Sequence, residues 1–398
     1  MKFAIITDSF PPLRNSGAIQ IRDLSLEFVR QGHKVVVITP SSEINNPFVI
    51  EDVNNVQVVR LKSLKTKDIS YIRRVIAECI MPFAMIFNLK RSCVTVNEFD
   101  GVITYAPSIF LGLVAKKIKR YSKCKNYLII RDIFPQWAVD IGVIRRNGAP
   151  YYFFKLVEKY LYSTANIIGV QTPANLPYFR KETLDDVTTV EVLQNWLSKQ
   201  DCNENYSSIV INDTKLNGRS IFVYAGNMGD AQGLDIFIDL AERVSNNNSI
   251  GFLFVGRGRA VKQLKADVEK KSLNNILFYD EINSNEIPAL YEQCSFGIIS
   301  LDRRHKTHNI PGKFLSYLNS GLPILAVVNK NNDMEGIINE NKIGCVTTNH
   351  SVDVLVKLVN ELMENSLNDD SMKDRCRELS KGLFSTEVAV KQILNVLV

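Results

Sequence analysis

A loop in the C-terminal half combines polar side chains, one lysine and a predicted helix start. The stretch from Lys306 to Pro323 reads K-T-H-N-I-P-G-K-F-L-S-Y-L-N-S-G-L-P. A short helix with an apolar face is predicted from Phe314 to Asn319. Gly321 and Pro323 mark its end. Backbone N–H groups at a helix start, together with the Lys313 ammonium, favour an anion such as a diphosphate. The other candidate residues of this site are His308, Asn309 and Gly312.

A glycine-rich turn follows the predicted strand Ser220–Tyr224 and precedes a helix predicted to begin near Leu234. Its three glycines let the backbone turn tightly and present N–H donors to an anion. The turn is neither G-x-G-x-x-G nor a Walker loop, which disfavours nicotinamide-cofactor and ATPase functions. A plain strand–helix turn is the alternative. The candidate binding residues in this turn are Gly226, Asn227, Met228, Gly229 and Gln232.

A second glycine pair comes at the end of the next predicted strand. Val255-Gly256-Arg257-Gly258 could admit a nucleotide base against the backbone, with Arg257 at its edge. Phe278 to Ile282, at the following strand end, could complete that wall. A tight turn without a ligand explains each segment equally well when it is taken alone.

Two further strand ends with possible chemistry lie in the first half. The loop from Ser9 to Gly17 connects the first predicted strand to the first predicted helix. Gly17 lets the backbone approach a phosphate or a sugar, and Arg14 could add positive charge. Because many strand–helix turns carry a glycine, an ordinary turn is the alternative here.

The segment from Arg131 to Trp137, read R-D-I-F-P-Q-W, directly follows a predicted buried strand. Asp132 could position an acceptor hydroxyl or accept its proton. Trp137 suits a sugar or lipid surface, and Arg131 adds a charge beside it. Arg131 and Trp137, together with Arg14, are the candidate acceptor-binding residues. A helix cap or an internal Arg–Asp pair is the alternative interpretation.

The candidate residues lie in loops that connect predicted strands to predicted helices. Short apolar runs such as Phe3–Thr7 and Lys34–Thr39 alternate with helical patterns such as Ile19–Arg30. This order predicts βαβ units and two doubly wound parallel sheets, with a cleft between two Rossmann-like domains as the default active site. The predicted domains are residues 1–197, with a C-terminal helix at 384–398 that packs back on them, and residues 198–383.

Composition fits a soluble globular protein, with 45% hydrophobic and 23% charged residues in a chain of 398. No apolar run reaches the roughly 18–20 residues of a membrane span, and the N-terminus does not read as a secretory signal. The seven cysteines show no C-x-x-C spacing, which disfavours disulfides and zinc. We therefore expect a cytoplasmic protein that needs no metal.

The net charge of +6 is unevenly distributed. Residues 1–195 hold 26 Lys and Arg against 17 Asp and Glu, and the excess is densest from Arg60 to Arg131. Basic residues flank an apolar stretch from Val75 to Leu89, which predicts contact with a membrane that carries anionic lipid. An ordinary half-buried helix is the alternative, and Pro82 predicts a break in any single helix there.

Taken together, these sites in this order resemble the GT-B glycosyltransferases of family 4. The resemblance covers nearly the whole chain. Its further supports are Gln31-Gly32-His33-Lys34-Val35, Leu193-Gln194-Asn195-Trp196 and the Gly321-Leu322-Pro323 turn. More closely, the segments 131–137, 226–233 and 307–317 look like the L-fucosamine transferases of bacterial O-antigen and capsule synthesis.

The resemblance implies a retaining transferase. Its donor would be UDP-N-acetyl-L-fucosamine, and its acceptor a sugar on undecaprenyl diphosphate at the cytoplasmic face of the inner membrane. The enzyme would have no cofactor and would work without a metal. A UDP-sugar epimerase of the same GT-B shape is the alternative. A nucleic-acid scaffold is disfavoured, because the aromatic residues are not interleaved with the charge as in known modules.

The chain also departs from the wider family. A Glu-x7-Glu pair of that family falls at His308 and Ser316, so the usual ribose contact would come from the Ser316 hydroxyl. The family's diphosphate-binding Arg and Lys fall at Asn227 and Gln232. Lys313 is then the remaining cation of the second domain for the leaving phosphate. By the same resemblance, His308 would contact the donor sugar and Asp132 would orient the acceptor, with Arg14 or Arg131 adding charge.

Overall fold

The chain forms two compact α/β units. The computed structural model describes residues 1–13, 15–67, 69–106, 108–140, 142–179, 188–198, 206–229, 232–303 and 310–398. One unit comprises Met1–Ser198 with Ser385–Val398, and the other comprises Lys199–Phe384. Each unit has its own sheet and its own hydrophobic core.

The first unit is built on an eight-stranded sheet in the order β3-β4-β2-β1-β5-β6-β7-β8. Its strands are β1 (Lys2–Ile6), β2 (Lys34–Ser41), β3 (Phe48–Val53), β4 (Val56–Lys62), β5 (Gly101–Ala106), β6 (Lys125–Ile130), β7 (Ile167–Val170) and β8 (Thr189–Val192). Neighbouring strands are parallel except β3 and β4, which form an antiparallel hairpin. Asn54 and Asn55 turn this hairpin with positive φ angles of 53° and 65°. The prediction of mostly parallel βαβ units is confirmed.

Helices cover both faces of this sheet. They are α1 (Ser16–Arg30), α2 (Tyr71–Arg91), α3 (Gly112–Ser122), α4 (Gln136–Asp140) and α5 (Ala149–Ser163). Alternate residues of β1 serve the two faces: Ala4 and Ile6 lie in the core beneath α2, α3 and α5, whereas Phe3 and Ile5 lie in the core beneath α1. Short 3₁₀ segments occur at Val96–Glu98, Ile109–Leu111 and Pro173–Phe179.

One prediction about this unit is wrong. Pro82 was expected to break the helix, but α2 runs without interruption from Tyr71 to Arg91. Pro82 itself is buried together with Met81 and Met85 on the face that packs on the core. Tertiary packing of this apolar face outweighs the cost of the hydrogen bond that a proline cannot donate.

The second unit is a six-stranded, wholly parallel sheet in the order β11-β10-β9-β12-β13-β14. Its elements are β9 (Ser220–Ala225), α6 (Asp235–Arg243), β10 (Ile250–Val255), α7 (Val261–Lys270), β11 (Ile276–Tyr279), α8 (Ile287–Glu292), β12 (Phe296–Ser300), α9 (Gly312–Ser320), β13 (Ile324–Val327), α10 (Asp333–Glu340), β14 (Gly344–Thr347), α11 (Val352–Asn368) and α12 (Met372–Leu383). Short 3₁₀ segments occur at Ile211–Asp213 and Ser284–Glu286. The strand order reverses between β9 and β12, which makes their carboxyl ends the expected ligand crevice of this sheet.

The last helix, α13 (Thr386–Leu397), belongs to the first unit. Val390 and Ile393 are fully buried in the same core as Phe3 and Phe28. Gln392 Nε2 also donates a hydrogen bond of 2.9 Å to the carbonyl of Val192. The chain therefore leaves the first unit, builds the second and returns to complete the first.

Candidate functional site

Lys313 lies at the point where the strand order of the second sheet reverses. It belongs to the first turn of α9, which follows β12, and it reaches the end of neighbouring β9. Its Nζ donates a hydrogen bond of 2.9 Å to Tyr224 Oη and lies 4.5 Å from the centre of that ring. Its Cε would be 3.7 Å from a Cβ at Gly226. The ammonium is thus fixed beside the predicted glycine turn.

The surroundings of Lys313 weaken its hold on a proton. Burial of the amine lowers the pKa of Lys313 to about 8. Burial also raises the pKa of Tyr224 well above its usual range, so the phenol stays neutral. Tyr224 Oη donates to the carbonyl of Asn227 over 2.7 Å and therefore accepts from Lys313. A bound anion would favour the charged amine, because its negative charge would offset the solvation that the amine loses on burial.

The turn after β9 is held by its own side chains. Gln232 Oε1 accepts hydrogen bonds from Gly229 N over 2.9 Å and from Asn227 Nδ2 over 3.3 Å. Met228 is fully buried, and its backbone pairs with the carbonyl of Arg257 and the N–H of Ala260. These bonds give Met228 an anchoring role in place of the donor contact that the sequence suggested.

The turn after β10 packs directly against the turn after β9. Gly256 and Gly258 have φ angles of 142° and 152°, in the region that favours glycine. A Cβ at Gly256 would overlap the carbonyl oxygen of Gly226, and one at Gly258 would overlap that of Met228. The glycines are therefore explained by close packing of two loops, which the sequence could not distinguish from a nucleotide contact.

Side chains at the rim of these loops are more open. Arg257 is exposed, and its Nε lies 3.0 Å from Glu281 Oε2. Ile282, in the loop after β11, is half-buried. Both remain predicted contacts of a nucleotide base.

At the start of α9, the space beside Gly312 is open with respect to the described residues. Apart from the adjacent residues and the helix's own backbone, none of their atoms lies within 4 Å of the position that a Cβ would take at Gly312. Ser316 Oγ donates to the carbonyl of Gly312 over 3.2 Å, one turn earlier, and its side chain is half-buried. His308, Asn309 and Arg14 lie outside the described residues, so their predicted roles stay predictions.

The first sheet reverses its order between β1 and β5, and predicted residues cluster there too. Gly17 lies in the first turn of α1, where a Cβ would come within 3.3 Å of the Tyr105 ring. Tyr105 Oη donates to Gln20 Oε1 over 2.8 Å, and burial raises the pKa of Tyr105 to about 12. Gly17 thus allows α1 to lie close to the end of β5.

Arg131 points into the first unit and not to its surface. Its Nη1 donates to the carbonyl of Leu193 over 3.2 Å, and its guanidinium lies 4.3 Å from the centre of the Trp196 ring. Burial lowers the pKa of Arg131. These contacts favour a role in fixing the end of β6 over the predicted acceptor contact.

The two neighbours of Arg131 in the predicted site differ from it. Asp132 is exposed at the end of β6. Trp137 is half-buried in α4, with its ring 5.9 Å from that of Phe134. Asp132 is therefore the predicted residue of this edge that is open to a ligand.

Sequence reasoning missed three residues at these strand ends. Tyr224 and Tyr105 are the penultimate residues of β9 and β5, and Asp8 lies just after β1. Burial raises the pKa of Asp8, and its Oδ1 has no hydrogen-bond partner among the described residues. Asp8 carries an available signal, because it is a polar residue just after a buried strand. The two tyrosines lie inside their strands, where the pattern does not distinguish them from core residues.

Within the described ranges, no three His, Cys, Asp or Glu side chains come together as a metal site. The predicted independence of metal remains a prediction. Among the helices of those ranges, none has the length and hydropathy needed to cross a membrane.

Two units with mostly parallel, doubly wound sheets match the GT-B fold. Residues 210–381, most of the second unit, match the family model of glycosyl transferases group 1. The crystal structure of HepE from Anabaena, in complex with UDP and glucose, superposes with a TM-score of 0.64 at 13% identity and covers 100% of this chain and 99% of that one.

Two proteins are similar to this chain in sequence. The chain is 23% identical over 245 residues to WbjE of Pseudomonas aeruginosa, a probable glycosyltransferase, and the match covers 61% of each protein. It thus spans about three fifths of that relative's length. It is also 21% identical over 358 residues to the O-antigen chain mannosyltransferase C of Escherichia coli, covering 78% of this chain and 92% of that protein.

Proposed function

We propose that this protein is a retaining glycosyltransferase of surface-polysaccharide synthesis. It moves an N-acetyl-L-fucosamine-type sugar from a UDP-sugar to a sugar on undecaprenyl diphosphate, at the cytoplasmic face of the inner membrane. The observation that carries the proposal is the position of Lys313, which holds an ammonium beside the Gly226 turn where the strand order reverses. The HepE complex with UDP supports a nucleotide-sugar donor. The proposed identities of the sugar and the acceptor rest on the resemblance of three segments to the L-fucosamine transferases. These segments are 131–137, 226–233 and 307–317.

In this mechanism the bond between the anomeric carbon and the diphosphate oxygen breaks, and the acceptor oxygen bonds to that carbon on the same face. The acceptor proton passes to the leaving diphosphate. Lys313 and the N–H groups at the start of α9 stabilise the developing negative charge, at about 3–4 kcal/mol for a well-placed donor. Asp132 orients the acceptor hydroxyl, and His308 contacts the donor sugar.

The test is a reaction with a panel of UDP-sugars and GlcNAc on a lipid diphosphate. We expect one UDP-sugar to add its sugar mass to the lipid, and NMR of the product to show the anomeric configuration of the donor. Isomerised UDP-sugar without any lipid product would favour the epimerase alternative. Hydrolysis alone, or no change with any donor, would contradict the proposal.

The same assay tests the expectation that no metal is needed. Turnover should be unchanged after EDTA treatment, because Lys313 supplies the positive charge that a divalent ion provides in other enzymes. Loss of activity in EDTA, restored by Mg²⁺ or Mn²⁺, would show that the leaving group needs a metal.

A further inference from the structure

Three helices cover one face of the first sheet and share its core. Met85 of α2, Val114 of α3 and Phe154 of α5 are buried in the same hydrophobic cluster. We call the outward side of these three helices the α2–α3–α5 face. Its outward side chains are open to solvent and differ from the rest of the described surface in two ways.

The first difference is exposed apolar area. Ten of the twenty large hydrophobic side chains that are exposed among the described residues lie on these three helices. On α2, six of them are 44% to 79% exposed: Tyr71, Ile72, Ile76, Ile80, Phe83 and Phe87. From Ile72 onward they recur every three or four residues, so they form one stripe opposite the buried Met81 and Met85. A stripe of this kind marks an interaction site.

The second difference is charge. The three helices together contain ten Lys and Arg against two Asp and Glu. The two acidic residues add little negative charge to the surface, since Glu78 is 17% exposed and paired with Arg74, and Glu158 is fully buried against Lys155. Arg73, Lys90 and Arg91 are exposed at the two ends of the α2 stripe. The outward charge of this face is therefore basic throughout.

The opposite face of the same sheet shows neither property. Helix α1 has two basic and two acidic residues, and α13 has one of each. Ile19, 39% exposed, is the exposed large hydrophobic residue of these two helices. Apolar exposure and positive charge are thus segregated to one side of one unit, as on surfaces that lie in a membrane interface.

We propose that the α2–α3–α5 face docks in the plane of a membrane that contains anionic phospholipid. The α2 stripe enters the boundary between headgroups and acyl chains, while the flanking Lys and Arg contact lipid phosphates. A second copy of this chain fits this face less well, because it would bring two basic surfaces together. The inference rests on the proposed function, which places the reaction at the inner membrane. Its test needs no sugar chemistry, so the membrane proposal and the proposed function can fail separately.

The experiment is sedimentation of the full chain with vesicles of phosphatidylcholine, with or without 30% phosphatidylglycerol as a chosen test composition. Binding to the anionic vesicles should exceed binding to the neutral ones by at least about tenfold, since each basic residue near such a surface contributes about 1 kcal/mol. The difference should shrink in 0.5 M salt, an arbitrarily chosen concentration, because charge contacts are screened. Equal binding to both vesicles, or none, would overturn the proposal.

Matched variants separate the two contributions. The charge-reversal variant Arg73→Glu, Lys90→Glu and Arg91→Glu should lose the preference for anionic vesicles. Its control reverses three exposed lysines of the second unit and should keep that preference. The control substitutions are Lys262→Glu, Lys357→Glu and Lys373→Glu. The apolar variant Ile76→Ser, Phe83→Ser and Phe87→Ser should lose binding about tenfold or more, whereas Leu367→Ser, at a residue 82% exposed on α11, should bind normally.

Two readouts decide among other outcomes. Thermal unfolding followed by circular dichroism should give the same midpoint for all variants, because every substituted side chain is exposed. Sedimentation velocity should show the same mass for the wild type and the apolar variant. A wild-type dimer that the apolar variant dissociates, without vesicle binding, would assign this face to self-association and overturn the proposal.

Discussion

Lys313 is the side chain on which the proposed chemistry depends most. Its amine is held by Tyr224 at the end of β9, and the side chains of the neighbouring turn at Asn227 and Gln232 carry no charge. We expect Lys313→Ala to lower turnover by about 10² to 10³, the loss typical of one transition-state donor. The measurement is kcat with the active UDP-sugar, with circular dichroism to show that the fold is retained. Turnover close to the wild-type value would remove Lys313 from the mechanism.

The lowered pKa of Lys313 predicts how activity depends on pH. An amine with a pKa of about 8 is charged below that pH and loses its proton above it. We therefore expect kcat/KM for the UDP-sugar to fall as the pH rises through about 8. In Lys313→Arg the charge persists, so the alkaline fall should disappear even if the overall rate is lower. A flat wild-type profile between pH 7 and 9.5, a range chosen to bracket that pKa, would contradict this assignment.

Tyr224 connects Lys313 to the glycine turn through directed hydrogen bonds. Tyr224→Phe keeps the ring but removes the acceptor for Lys313 and the donor to the Asn227 carbonyl. Because a hydrogen bond to the charged amine favours that form, its loss should lower the pKa of Lys313 and move the alkaline fall to lower pH. We also expect a loss of about tenfold in kcat/KM.

Tyr291→Phe is the matched control for this variant. Tyr291 is equally buried in the same unit, and its ring packs on Tyr317, not on Lys313. This variant is expected to lose stability while keeping the pH profile. If both variants shifted the profile alike, the effect would belong to general packing and not to the contact with Lys313.

Among the structural elements, the turns after β9 and β10 are tightly constrained. Gly256→Ala forces a Cβ onto the carbonyl oxygen of Gly226, at a φ of 142°. We expect it to lower the free energy of unfolding by at least about 2–3 kcal/mol and to abolish UDP binding. Gly336→Ala, in the middle of α10 where a Cβ would lie 3.6 Å from the Glu340 carboxylate, should instead stabilise by up to about 1 kcal/mol. Urea unfolding and calorimetric UDP titration measure both effects, and a tolerated Gly256→Ala would refute the packing argument.

The sequence predicted many of the strands and helices, and with them both doubly wound sheets, but it did not predict α10 or α12. It missed β3, an antiparallel edge strand with mixed exposure, and α5, whose many aromatic residues have low helix propensity. It placed Arg131 at a strand end correctly but could not tell that its guanidinium turns inward to Trp196. The direction of a side chain at the end of a strand depends on tertiary packing, which no local pattern specifies.

In the whole molecule, the first unit depends on a helix that follows the second unit in sequence. Deletion of residues 385–398 would expose the core residues Phe3, Ile5 and Phe28 and remove four buried apolar side chains of α13. At about 1.5–3 kcal/mol for each large one, the loss is comparable to the stability of a domain.

Hydrogen exchange read by mass spectrometry tests this dependence. In the deletion variant, amides of β1 and α1 should lose protection, whereas those of β9 to β13 should keep it. Uniform loss over both units would show that they unfold as one. Unchanged protection in the first unit would show that α13 contributes little.

The return of α13 also orders events during synthesis. Residues 1–198 emerge first, yet the core that contains Phe3 and Phe28 stays open until residues 386–397 have been made. At the usual ~5–20 residues per second, the intervening second unit takes roughly 10–40 s to translate. Throughout that interval α1 covers this face of the first sheet without α13, and the second unit can complete its own core sooner. The part of the chain that is made first is therefore the last to finish folding.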